Sequence, residues 1–124
     1  MAESILRIKS KQLAIDIIHA CREMRKNKVE YALIDQLLRS GTSVGANIHE
    51  AQFAQGTKDF ISKLEIALKE CNECDYWLDI LLSTQSINTQ KSKMLSTECD
   101  EIRKILISSV NTLKSKQKPD AGSN

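Results

Sequence analysis

Apolar residues recur along this chain at intervals of three and four, the spacing of one face of an α-helix. The first such stripe is Ala14, Ile17, Ile18, Cys21 and Met24, extended by Leu6 and Leu13. It predicts a helix from about Ser4, an N-capping residue type, to about Lys26, where the polar Lys26-Asn-Lys-Val-Glu30 interrupts the pattern. A second stripe, Leu33, Leu37, Val44, Ile48 and Ala51, is widened by Ile34, Leu38 and Gly41 and predicts a helix over about Glu30 to Ala54. Gly56 reads as its C-cap signal and Thr57 as the next N-cap. The longest stripe runs from Phe60, Ile61 and Leu64 through Ala67, Leu68, Cys71 and Cys74 to Leu78, Leu81 and Leu82, and predicts a helix over Lys58 to about Ser83. After Gln85-Ser-Ile-Asn-Thr89, the residues Leu95, Cys99, Ile102, Ile105, Leu106, Val110 and Leu113 predict a fourth helix from about Thr89 to about Lys116. Connectors this short make successive helices antiparallel neighbours. The expected fold is all-α, an up-down-up-down antiparallel four-helix bundle. It forms a single domain over 1–117, followed by a disordered C-terminal tail over 118–124.

The second helix carries an anomaly, Arg39-Ser-Gly-Thr-Ser-Val-Gly-Ala-Asn-Ile-His-Glu50. Small residues stand there in place of large ones. Two interior glycines cost about 1 kcal/mol each relative to alanine. Gly41 and Gly45 share a face, so the stretch predicts either a local bend or an unusually close helix crossing. Asn47 and Glu50 also share a face. The reading is that both are buried and hydrogen-bonded, with partners from another helix or another subunit, because Arg39 lies about 16 Å away along the same helix. Arg39, Gly41, Ser43, Gly45, Asn47 and Glu50 together form a structural motif.

Composition narrows the function. With 124 residues, 4% aromatics and Pro119 as the one proline, the chain suits a single helical core. It has no 18-residue apolar run, and its first residues lack a signal-peptide layout, so a cytoplasmic location is expected. Its four cysteines, Cys21, Cys71, Cys74 and Cys99, are then free thiols. Cys71 and Cys74 fall on the apolar face and read as small hydrophobes. The alternative is a metal-dependent helical-bundle enzyme using Cys71/Cys74 with Glu50, Glu65 and Glu73 turned inward. No Glu-x-x-His motif, second Cys-x-x-Cys or phosphate-cradling glycine loop accompanies them, so a non-enzymatic protein without cofactors is expected.

Net charge is +2, unevenly spread. Residues 1–28 hold seven basic and three acidic side chains, residues 29–87 four and nine, and residues 88–124 seven and four. The outer helices are basic and the central pair acidic. Arg22, Arg25, Lys26 and Lys28 form a candidate nucleic-acid contact, but such a cluster reads first as an ordinary helix C-terminus whose cations complement the macrodipole. Ile66, Tyr76 and Trp77 fall off the stripe of the third helix. They are candidates for an oligomer interface, or a cap on the bundle's own core.

The stretch Leu37–Ala51 resembles the signature of the bacterial four-helix-bundle family named for proteins encoded in 23S ribosomal RNA intervening sequences. Lys58–Glu73, Lys9-Ser-Lys-Gln-Leu-Ala-Ile15 and Ile102-Arg-Lys-Ile-Leu106 are similar to it as well, so the likeness covers nearly the whole chain. Arg39, Ser43, Asn47, Glu50, Phe60, Leu64, Ala67 and Glu73 fall on family-typical positions, while His49 stands where the family often has a small residue or an acid. That family is similar to the accessory variability determinant of diversity-generating retroelements, a pentameric bundle that binds nucleic acid and a reverse transcriptase. The resemblance thus implies a homo-oligomer, a pentamer, with RNA, DNA or a nucleic-acid-processing protein such as a reverse transcriptase as partner.

Overall fold

The computed structural model describes residues 2–122, in four helices: α1 (Ala2–Lys26), α2 (Tyr31–Ala51), α3 (Thr57–Ser83) and α4 (Thr89–Gly122). Each helix packs on its sequence neighbours and α1 closes on α4, the up-down-up-down antiparallel bundle that the periodicity implies. The seams of α2 with α3 and with α1 are the densest, and that between α1 and α4 is the most open. Among the described residues no helix is long and apolar enough to cross a membrane.

The core follows the stripes with one systematic shift. In α1 it centres on Leu6, Leu13, Ile17 and Met24, with Ala20 and Ser10 buried, while Ala14 and Ile18 stand half-buried at its margin. In α2 the centre likewise moves, with Ile34 and Gly41 buried and Leu33 half-buried, and elsewhere Leu38, Phe60, Leu68, Ile105 and Leu113 stand half-buried at the margins. Leu82, placed in the stripe of α3, is exposed.

The helix ends depart from expectation. Ser4 lies inside α1, where its Oγ accepts from Arg7 Nη2 at 3.4 Å instead of capping. The second helix stops at Ala51 with Gln52 as its C-cap. Gly56 is the N-cap of α3, with φ of 137°, and Thr57 is the first helical residue. Asp59 supplies a carboxylate to the preceding loop, accepting from the Gln55 N–H at 3.1 Å. The backbone of α4 continues to Gly122, past Lys116; residues 123 and 124 of the expected tail lie outside the described residues.

Two connectors share one device that composition hides. Lys28 and Gln85 adopt left-handed φ of 60° and 58°. The N–H of Val29 bonds Met24 O at 3.1 Å and that of Ser86 bonds Leu81 O at 2.8 Å, while Lys28 and Gln85 bond Arg25 O and Leu82 O, both at 3.0 Å. These are Schellman closures built without glycine.

The small residues of α2 produce the close crossing, not a break, since α2 is continuous through them. A Cβ on Gly41 would stand 2.8 Å from Ile17 Cγ1 of α1. One on Gly45 would stand 3.3 Å from the Ser10 carbonyl oxygen. The polar residues between them turn back onto their own helix. Ser40 Oγ donates to Gln36 O at 2.9 Å, Thr42 Oγ1 to Leu38 O at 2.7 Å, Ser43 Oγ to Arg39 O at 2.6 Å and Asn47 Nδ2 to Ser43 O at 2.8 Å. Such back-bonding satisfies each group locally. It keeps α2 slender, and it removes the need for the partner from another helix that was expected for Asn47.

The two glycines therefore differ in what they tolerate. Ile17 is fully buried and β-branched, so it cannot swing away from a new methyl at position 41. Overpacking costs about 1–3 kcal/mol, against about 1 kcal/mol of helix propensity gained. Gly41→Ala should thus lower unfolding free energy by up to about 2 kcal/mol. Gly45→Ala should change it by less than about 1 kcal/mol, because the milder contact there is offset by the same gain. Urea unfolding measures both, and a Gly41→Ala midpoint above that of wild type contradicts the crossing described.

Candidate functional site

At its N-terminal end, through Arg39, the motif of α2 is part of a clasp. Arg39 reaches across to α3, pairing with Glu73 and, at 3.4 Å, with Glu70. On the other flank of α3, Arg103 of α4 pairs with Asp75 and takes a 3.0 Å hydrogen bond to Asn72, while also pairing with Asp100 of its own helix. Lys114 pairs with Glu65 at 2.6 Å. Glu65, Glu70, Glu73 and Asp75 of α3 are thus matched by cations from both neighbours. Glu50, expected to be buried, is exposed, and Asn47 is half-buried. Glu50 falls with Ala46 and Phe53 on the outer side of α2, away from the buried Val44, Ile48 and Ala51.

The inward set of acids required by the metal reading is likewise not formed: Glu65 is exposed, and Glu73 is on Arg39. Among the described residues no group of three or more His, Cys, Asp or Glu side chains is arranged to hold a metal ion. All four cysteines are buried free thiols. Burial pushes Cys21 up to about 11 and Cys71 up to about 12. Cys99 is driven up by its hydrogen bond to Cys74, at 3.7 Å, and by burial. Thiols held neutral in this way are packing groups and poor nucleophiles or ligands.

The basic cluster is brought together but not organised. Arg22, Arg25, Lys26 and Lys28 are all exposed at the C-terminal end of α1, and Arg25 lies over the Tyr31 ring, 5.5 Å from its centre. On α3, Tyr76 and Ile66 are exposed. Trp77 is half-buried and packed against the core, with an edge-on contact to Tyr76 at 5.0 Å. Trp77 therefore takes the core-capping role, and Ile66 and Tyr76 remain the surface residues of that trio.

The face of α1 turned away from the core had no assigned role, yet it carries Ile5, Ile8 and Ile15 at 44%, 70% and 37% exposure. Their spacing places them on one side of the helix. Polar residues between them masked the strip, because the inward stripe dominates the periodicity. Beside it, a cleft of about 400 Å³ lies between α1 and α2, floored at Gly45 and lined by Arg7, Lys11, His49 and Gln52. Arg7 Nη1 donates to Gln52 Oε1 at 3.1 Å, and His49 contacts the ring of Phe53 at 5.4 Å. Arg7 and Lys11, one turn apart, were the available signal for this cleft.

The open α1–α4 seam holds a second titrating feature. Glu98 of α4 lies near Asp16 of α1, and its Oε1 is buried without a partner. Burial, then the neighbouring Asp16, then Glu101, raise Glu98 to about 8, with Lys9 opposing. Lys9 itself pairs with Glu101 at 3.0 Å.

Comparison with known proteins agrees with this architecture. The family model described as 23S rRNA-intervening sequence protein matches residues 3–108. Among solved structures, a protein of unknown function from the S23 ribosomal protein family of Bacteroides thetaiotaomicron is 40% identical, with a TM-score of 0.86 over 90% of this chain and 99% of that one. No curated protein matches the chain.

Two solution properties follow from the buried groups. A thiol reagent should label none of the four cysteines in the native protein and all four in denaturant; rapid native labelling contradicts their closure. Glu98 binds its proton more tightly folded than unfolded, so its contribution to stability is full below the ordinary glutamate range and is lost as pH rises through about 8. Melting temperature should therefore fall across that window, and Glu98→Gln should flatten the fall. An unchanged slope in the variant contradicts the assignment.

Proposed function

The chain belongs to the family of 23S rRNA-intervening sequence proteins, and from that premise we propose that it is a non-enzymatic scaffold that assembles with copies of itself and presents its basic surfaces to nucleic acid or to a nucleic-acid-processing partner. The observation that carries the reading is the outward isoleucine strip of α1. A helix buried on one side only has no reason of its own to place Ile5, Ile8 and Ile15 on the other, and covering a large aliphatic side chain is worth about 1.5–3 kcal/mol. A second copy of the bundle supplies such a cover. The pentamer implied by the sequence resemblance is the assembly proposed. Neutral thiols and acids matched by arginine and lysine favour a scaffold over an enzyme. The exposed cations of the outer helices favour a polyanionic partner.

Light scattering during gel filtration tests the assembly. The expected mass is a multiple of 14.0 kDa, five-fold for a pentamer, and Ile8→Asp with Ile15→Asp should return it to 14.0 kDa while the helical circular-dichroism signal persists. A wild-type mass of 14.0 kDa at micromolar concentration overturns the proposal.

A further inference from the structure

We propose that the cleft between α1 and α2 is a binding site for a single-stranded segment of nucleic acid, with Arg7 and Lys11 holding its phosphates and Phe53, beside His49, stacking on an unpaired base. The inference rests on the nucleic-acid part of the reading above and assigns it a place, at the opposite end of α1 from Arg22, Arg25, Lys26 and Lys28.

Three observations converge there. The first is charge. Arg7, Lys11 and His49 line the cleft and no acidic side chain does. None of the three is in an ion pair among the described residues, whereas Arg39, Arg103, Lys9 and Lys114 all are. The Arg7 guanidinium is steadied only by neutral oxygens, those of Gln52 and Ser4. Its charge is held in position and left uncompensated, as a phosphate contact requires.

The second observation is shape. Gly45 leaves the floor without a side chain, with the Ser10 carbonyl of α1 3.3 Å from where a Cβ would stand. The cleft, about 400 Å³, is a shallow channel along the helices and not an enclosed pocket for a small metabolite. Arg7 and Lys11 are four residues apart on α1, so their Cβ atoms are about 5–6 Å apart along its length, the scale of one nucleotide step.

The third is the aromatic. Phe53, 68% exposed, stands just beyond the end of α2. Its ring meets that of His49, which lines the cleft, at 5.4 Å with a 59° tilt, and most of its surface is open to solvent. A cationic groove flanked by an open aromatic face is the combination by which proteins hold single strands, because every unpaired base offers a π-face. A duplex keeps its bases stacked on one another and offers Phe53 nothing.

Fluorescence anisotropy of a labelled single-stranded RNA of about 12 nucleotides, a length within the usual site sizes, tests the site. Single-stranded DNA, duplex RNA and inorganic polyphosphate serve as competitors. Arg7→Gln with Lys11→Gln should weaken binding at least about tenfold and make the salt dependence shallower by about 1.4 in slope, for two phosphate contacts. Phe53→Ala should weaken single-strand binding about tenfold and leave polyphosphate binding unchanged. Arg22→Gln with Lys26→Gln should change the affinity by less than about twofold, since those side chains lie outside the contacts counted. All these side chains are exposed, so the variants should melt as wild type does. If the Arg22/Lys26 variant abolishes binding while the Arg7/Lys11 variant does not, this inference falls and the nucleic-acid reading stands. Equal affinity for duplex and single strand, or a silent Phe53→Ala, also overturns it. No binding by wild type at about 50 mM salt, where phosphate contacts are strong, removes both.

Discussion

Everything in this bundle depends on how thin α2 is. It lies between α1 and α3 and forms the two densest seams in the molecule. That position demands a helix that two neighbours can approach at once. The chain meets the demand by removing side chains at Gly41 and Gly45 and by folding Ser40, Thr42, Ser43 and Asn47 back onto their own carbonyls. The local cost is real, since glycine and back-bonded serine or threonine are poor helix formers. It is offset by contact, with Ile17 packing directly on the backbone of residue 41.

The ion pairs then set how α3 sits against its neighbours. Arg39 grips it from α2 and Arg103 from α4, each through two polar partners. Exposed pairs of this kind add little stability individually. Their geometry is nonetheless directional, and fork-like guanidinium contacts from both sides disfavour sliding of α3 along the bundle. Of the acids in the central helices, Glu65, Glu70, Glu73 and Asp75 are taken up by this internal matching.

Periodicity made the four helices and their inward faces legible, because burial on one side of a helix writes itself at intervals of three and four. It located Leu37, Leu64, Leu78, Ile102 and Leu106 in the core without ambiguity. It was silent where a feature depends on the register between elements far apart in sequence. The approach of Glu98 to Asp16, the α1–α2 cleft and the partners of Arg39 belong to that class. Glu50 differs for another reason: it shares a face with Asn47, but that face turns from the margin of the core at Asn47 to solvent at Glu50, while Ile48 and Ala51 stay buried. The non-glycine Schellman closures at Lys28 and Gln85 escaped notice because left-handed backbone is inferred from glycine or asparagine, and here neither is present.

The uneven density of the four seams also has a kinetic meaning. The three closest packings join helices that follow one another in the chain, and the open one alone, α1 on α4, links its distant ends. Contacts between sequence neighbours close short loops at little entropic cost, so a topology of this kind folds in about microseconds to milliseconds. The same distribution orders the way the molecule comes apart. The α1–α4 seam has the least packing to lose and is where sub-global opening begins. Packing therefore makes the edge that carries Glu98 the easiest to open, and the small-residue crossing of α2 among the hardest.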